Sequence, residues 1–152
     1  MKAVVQRVTG AKVSVEGETV SEIGKGFLVL LGVEVGDDEG DARTLAAKIS
    51  GLRVFTDEND KMNLALTDVN GSMLVVSNFT LCADCKKGRR PSFEKAELPK
   101  KANELYAYFC ECVEKNNIPV QKGVFGADMQ VTLNNDGPVT LIINSKELTR
   151  IN

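Results

Sequence analysis

Gly26-Phe27-Leu28-Val29-Leu30-Leu31-Gly32-Val33 is apolar or glycine at every position. A strand with one wet face alternates polar and apolar residues, and an amphipathic helix keeps a polar stripe. A short, wholly apolar run of this kind fits a strand buried on both faces. Such a strand needs packed material above and below it, so the fold is layered.

Working outward, the residues before this run alternate with a period near two. Ala3 to Val8, Lys12 to Glu16 and Thr19 to Ile23 read as half-buried strands, with Arg7 breaking the first and Gly17 marking a tight hairpin. After the run, Asp37-Asp38-Glu39 marks a helix start, with acidic residues at the positive end of the helix dipole. Ala42, Leu45, Ala46 and Ile49 form its apolar stripe and Gly51 suits its C-terminal end. Leu52 to Phe55 is expected as a short strand, followed by alternation at Met62, Leu64 and Leu66. Asn70-Gly71 is a turn signal, and Ser72 to Leu81 reads as a second buried strand. Pro99 sits where a helix prefers proline, and Ala102, Leu105, Tyr106, Phe109 and Val113 supply the stripe. Asp128 to Leu133 and Val139 to Asn144 read as two closing strands flanking Asn135-Asp136-Gly137-Pro138. The expected architecture is α/β: mixed β-sheets packed with two main helices in β/β/α layers. This is more sheet than two helices cover, so sheets pack on each other or on a partner subunit. Residues 1–152 read as one domain.

Composition narrows the chemistry. The 152 residues contain no histidine, which removes Ser-His-Asp and Cys-His machinery, imidazole metal ligands and an imidazole base. Cys82-x-x-Cys85 resembles half a zinc site, but Cys110-x-Cys112 has the wrong spacing and lies in an expected helix, where residues two apart face different ways. Reduced thiols in a cytoplasmic protein are the expectation. No apolar run approaches the roughly 20 residues of a membrane span. The formal net charge of −2 argues against a generally basic nucleic-acid protein, although Lys86-Lys87-Gly88-Arg89-Arg90 places four cations in five residues. That cluster suits phosphates or an ordinary solvated loop.

Three segments could carry chemistry. Ser77-Asn78-Phe79-Thr80 puts hydroxyls and an amide at the end of an apolar strand, a common place for ligands. Locally, the favoured reading is that the same residues satisfy neighbouring backbone groups where the strand ends. Gly123 to Met129 sets two glycines around Phe125, which reads either as a ring-stacking surface or as a core plug. In Asn135 to Thr140, Gly137 carries no side chain and Pro138 no N–H, so the pair can present bare carbonyl oxygens. X-Pro bonds are mostly trans, and local sequence favours an ordinary hairpin turn here.

The three segments occur together with Ala3-Val4-Val5-Gln6-Arg7-Val8, Ile23-Gly24-Lys25-Gly26, Lys61-Met62-Asn63-Leu64 and Lys87-Gly88-Arg89-Arg90-Pro91-Ser92-Phe93. This collinear set resembles the D-aminoacyl-tRNA deacylases of the common bacterial and eukaryotic type, over essentially the whole chain. The family motif Ser-Gln-x-Thr is matched by Ser77, Phe79 and Thr80, with Asn78 in place of Gln. The motif Asn-x-Gly-Pro-x-Thr is matched in full by Asn135, Gly137, Pro138 and Thr140. The resemblance implies hydrolysis of the ester joining a D-amino acid to tRNA, with Ser77, Phe79 and Thr80 catalytic and Asn78, Gly137, Pro138, Phe125 and Met129 substrate-binding. It implies a homodimer in which a Gly-cis-Pro element of one subunit enters the site of the other, meets the substrate ammonium and blocks an L side chain. It also implies assistance by the terminal 2′-hydroxyl of the RNA, main-chain N–H groups near Phe79 and Thr80 for the oxyanion, and Phe125 and Met129 beside the terminal adenosine. Achiral glycine escapes such a steric block, so glycyl-tRNA is an expected substrate too. Apart from the resemblance, the charge of the run Lys86 to Arg90 carries the expectation that it meets acceptor-stem phosphates. No metal or cofactor, no membrane and no DNA are expected. A Thr80 nucleophile ranks second, because nothing nearby reads as its base. The alternative function is a non-catalytic module that binds the aminoacylated tRNA end.

Overall fold

The computed structural model describes residues Met1–Asn152. Eight strands and two helices follow in the order β1 (Lys2–Val15), β2 (Glu18–Ile23), β3 (Gly26–Gly32), α1 (Glu39–Ser50), β4 (Phe55–Thr56), β5 (Met62–Leu64), β6 (Ser72–Ser77), α2 (Pro99–Glu114), β7 (Val120–Lys122) and β8 (Gln130–Asn144). Six strands make one sheet, ordered β2-β1-β3-β6-β7 with β8 also on β1, while β4 and β5 pair separately. β3–β6 and β6–β7 are parallel and the remaining ladders antiparallel, so the sheet is mixed as expected.

The apolar run is β3, and both of its faces are buried. Phe27, Val29 and Leu31 join Met73 and Val75 of β6 in the main core under the two helices. Leu28 points the other way, into a second core with Leu74, Val76, Val8, Ala11, Val13 and Ile23. Two cores on opposite faces of one sheet require the sheet to curl over itself, which gives the β/β/α layering. β1 makes the curl possible. Ala3 and Val5 face the main core, but the ladder to β8 shifts register between Val8 and Gly10, and Ala11 and Val13 then face the second core. A one-residue slip moves every later side chain to the other face. At the start of β3, Gly26 has φ +158, and a Cβ there would lie 1.8 Å from the Ser72 carbonyl oxygen, so the parallel pairing with β6 needs glycine.

The helices form where the stripes placed them. Asp38 caps α1 in a reciprocal box with Asp41, and Ala42, Leu45, Ala46 and Ile49 are fully buried. In α2, Ala102, Leu105, Tyr106, Phe109 and Val113 are buried. Complete burial of a side chain such as Leu45 or Phe109 contributes about 2 kcal/mol. No helix is long and apolar enough to cross a membrane.

Several expectations change. The first two expected strands are one, because β8 pairs along all of β1. The strand expected at Leu52 to Phe55 is reduced to Phe55–Thr56, and Leu66 begins a 3₁₀ turn instead of continuing β5. The strand expected to reach Leu81 stops at Ser77, where a 3₁₀ turn, Phe79–Cys82, takes over. β7 was not expected at all; three residues carry too little pattern to stand out. The largest correction concerns the end of the chain. Asn135–Thr140 is no hairpin turn. It lies inside a single strand, β8, between partners Val8↔Asn135 and Gln6↔Thr140. Two residues advance on β1 while five advance on β8, so Asp136, Gly137 and Pro138 bulge out of the ladder.

Candidate active site

A cavity of about 790 Å³ opens at the C-terminal ends of the parallel strands β3 and β6. Ser77, Asn78, Phe79 and Thr80 line one side, and Phe125 and Met129 line another. The structure thus brings six of the eight expected site residues together. Gly137 and Pro138 are not among the lining residues; they stand exposed on the β8 bulge.

The Ser77–Thr80 side is shaped locally. Asn78 leaves the sheet with its N–H still bonded to the Leu31 carbonyl at 2.8 Å. Its side-chain oxygen then caps the 3₁₀ turn, accepting the Thr80 N–H at 3.2 Å and a short bond from the Thr80 hydroxyl. Asn78, expected to touch substrate, lines the cavity, and its side-chain oxygen is engaged by Thr80. Phe79 opens the turn, so the turn itself has no acceptor for its N–H. The Thr80 hydroxyl donates to an amide, which is no base. Its lone pairs remain for a substrate donor, and nothing in this contact activates it as a nucleophile. The walls are mostly apolar, and a fixed N–H acts more strongly on a developing oxyanion in such surroundings.

The opposite wall is tied to the core. The Val75 carbonyl accepts the Gly123 N–H at 3.2 Å and the Tyr106 hydroxyl at 2.6 Å. Burial pushes the Tyr106 phenol well above its ordinary range, so it stays a neutral donor. Phe125 lies 6.1 Å from the Tyr106 ring and packs on the main core while one side of it lines the cavity. Met129 folds back so that its sulfur accepts the Val124 N–H at 3.4 Å.

The bulge is held from a distance. The Arg7 Nε donates to the Asp136 carbonyl at 3.0 Å, and its Nη1 donates to the Val54 carbonyl at 2.7 Å. The Asn135 amide donates to the carbonyls of Arg7 at 3.3 Å and Val139 at 3.0 Å. The Gly137–Pro138 bond is cis, and Gly137 has φ +138. A Cβ on Gly137 would sit 2.8 Å from the Val139 nitrogen, so only glycine takes this position without a shift.

Sequence reasoning missed Arg7 and Phe93 as site residues. Arg7 was visible only as a charge at an inward-facing position of β1. Phe93 lines the cavity and meets Phe79 edge-to-face, with ring centroids 5.1 Å apart. Glu97 and Asp128 also line the cavity. The Leu98 N–H, ahead of the Lys101 ammonium, holds the Glu97 carboxyl below its ordinary range. No three Cys, Asp or Glu side chains gather where they could hold a metal ion. Cys82 and Cys110 are buried, Cys85 is exposed, and all four thiols are free.

A family model described as D-Tyr-tRNA(Tyr) deacylase matches residues 4–144. A D-aminoacyl-tRNA deacylase of Geobacter sp. (strain M21) is 59% identical over 145 residues, covering 95% of this chain and 97% of that protein. One from Thermosipho africanus (strain TCF52B) is 54% identical over 148 residues, covering 97% and 99%. Among solved structures, a c-Myc DNA unwinding element binding protein superposes with a TM-score of 0.88 at 42% identity, covering 95% of this chain and 98% of that one. A probable eukaryotic D-amino acid tRNA deacylase superposes with a TM-score of 0.80 at 17% identity, covering 94% and 98%, a likeness of fold.

Proposed function

Because the chain belongs to the D-Tyr-tRNA(Tyr) deacylase family, we propose that it hydrolyses the ester between a D-amino acid and the terminal ribose of tRNA. The observation that carries this reading is the cavity that gathers the Ser77–Thr80 turn and the Phe125–Met129 wall. The Phe79 N–H, with Ser77 and Thr80 beside it, meets the ester carbonyl as it becomes an oxyanion. Phe125 and Met129 hold the terminal adenosine, since an unpaired base stacks on an aromatic ring. The ester is already activated by its ammonium and the neighbouring 2′-hydroxyl, so positioning supplies much of the rate and no histidine is needed. Thr80 accepts a substrate hydrogen bond and does not attack.

The second half of the site comes from another subunit. Gly137 and Pro138 are exposed and lie outside their own chain's cavity lining. In a homodimer, the pair enters the partner's cavity and turns its carbonyls to the substrate ammonium, filling the space that an L side chain needs. Enantiomers differ only in geometry, so a rigid backbone block separates them. Glycyl-tRNA has no side chain to clash and is accepted. The protein works where aminoacyl-tRNA is made and used, in the cytoplasm.

The test is to incubate the protein with matched D-tyrosyl-tRNA, L-tyrosyl-tRNA and glycyl-tRNA and follow the surviving ester. Loss of the D and glycyl esters with survival of the L ester is expected. Equal loss of D and L removes the chirality filter. Survival of all three makes the protein a binding module for the aminoacylated end.

A further inference from the structure

The stretch between the catalytic turn and α2 is built as a small hairpin at the cavity rim. Asp84 and Ser92 exchange both backbone hydrogen bonds, at 2.8 and 2.9 Å, and close the loop between them. The Asp84 carboxylate accepts the Lys86 N–H at 3.0 Å and pairs with the Lys95 ammonium at 3.6 Å. One residue past the closure, Phe93 locks onto Phe79. The hairpin is therefore anchored at its base to the residue that offers the free N–H.

Its tip is different. Lys86, Lys87, Arg89 and Arg90 are exposed, and none of them takes part in an ion pair or a side-chain hydrogen bond. Their neighbours Lys95 and Lys101 are paired, with Asp84 and with Glu97 at 3.3 Å. Four unused cations without an intervening carboxylate are unusual on a chain of net charge −2. They form a local positive field beside the cavity that receives the end of the substrate.

We propose that the Asp84–Ser92 hairpin is an RNA-backbone docking element: its four tip cations take phosphates of the acceptor stem, and the Phe93–Phe79 contact aims them relative to the cavity. The inference rests on the deacylase reading and adds how the body of the substrate is held. Cations on phosphates supply affinity and register without reading sequence, which suits a protein that must accept many tRNAs.

The experiment compares D-tyrosyl-tRNA with D-tyrosyl-adenosine, which keeps the ester and adenosine but lacks the stem. In the fourfold variant K86Q/K87Q/R89Q/R90Q, the kcat/KM preference for tRNA over the adenosine ester is expected to fall at least about tenfold. The slope of log kcat/KM for tRNA against log salt is expected to flatten by about 3. Phe93→Ala keeps all four cations but frees the hairpin, and its tRNA preference is expected to fall as well. A fourfold variant with unaltered preference and salt slope overturns the docking role, and a Phe93→Ala protein with full preference overturns the aiming contact. Competition by duplex DNA equal to that by deacylated tRNA makes the tip a general polyanion surface and also overturns the proposal. Wild-type protein that hydrolyses neither ester breaks the deacylase reading instead, a result that no hairpin variant mimics.

Discussion

The Ser77–Thr80 turn and the Asn135–Thr140 bulge are opposites in chemistry and in construction. The turn offers an N–H donor inside a cavity; the bulge offers carbonyl acceptors on an exposed rise. An aminoacyl ester carries both complements, a carbonyl oxygen that gains negative charge and an ammonium. The turn is fixed by its own residues, through the Asn78 cap on Thr80 two positions away. The bulge has one local tie, the Asn135 amide on the Val139 carbonyl, and is otherwise fixed by residues more than a hundred positions distant, through Arg7 and its ladder to β1. Donor geometry thus rests chiefly on local contacts of this chain and acceptor geometry chiefly on tertiary ones. Mutations should separate the two.

The largest effect is expected from Arg7→Ala. Arg7 is 9% exposed and bonds two carbonyls on distant segments, and its removal leaves both unsatisfied near the core. Chemical denaturation should show a loss of about 3 kcal/mol, since hydrogen bonds to charged groups contribute about 1.5–3 kcal/mol each. D-tyrosyl-tRNA hydrolysis at a temperature where the variant is folded should fall about a hundredfold, roughly 2.7 kcal/mol of barrier. Full activity in a folded Arg7→Ala protein would show that the bulge holds its shape unaided, and the contrast with the turn would collapse.

A smaller effect is expected at the turn. Asn78→Ala removes the cap, a change that costs about 1 kcal/mol at a helix start; if that cost falls on the transition state, kcat should drop about fivefold with KM nearly constant. Asn78→Gln restores the residue of the family motif and should recover most of that loss. Thr80→Ala should cost less than tenfold, because its hydroxyl is bonded to an amide and not to a base. A loss of several orders of magnitude in Thr80→Ala, with Thr80→Ser active, would revive the nucleophile.

The smallest effect should be invisible to both motifs at working pH. Asp41 joins the start of α1 to the segment after β8. Burial raises its pKa, but the Asp38 N–H, the Lys146 ammonium and the Ser145 hydroxyl outweigh it and lower the carboxyl from 3.8 to about 2. A group with a depressed folded pKa contributes its full stability above the unfolded value and loses it as pH falls through the folded one. Denaturant midpoints should therefore drop between about pH 4 and pH 2 in the wild type. That drop should shrink in Asp41→Asn, while D-ester hydrolysis near neutrality changes little.

Much of the fold was legible because burial leaves a periodic trace in nearby residues. The all-apolar run from Gly26 to Val33 showed a strand covered on both faces, and the stripes of α1 and α2 named the side chains that cover it. The Ser77–Thr80 and Phe125–Met129 segments were picked out for their residue types, and the missing histidine pointed to main-chain chemistry. Only the tertiary structure decided that those two segments share one cavity, that Phe93 braces Phe79, and that Asn135–Thr140 interrupts one strand and does not join two. The physical reason is that periodicity reports which face of an element is dry, whereas β1 pairs with β8 across more than a hundred residues. No local pattern encodes how far that ladder runs before it must bulge.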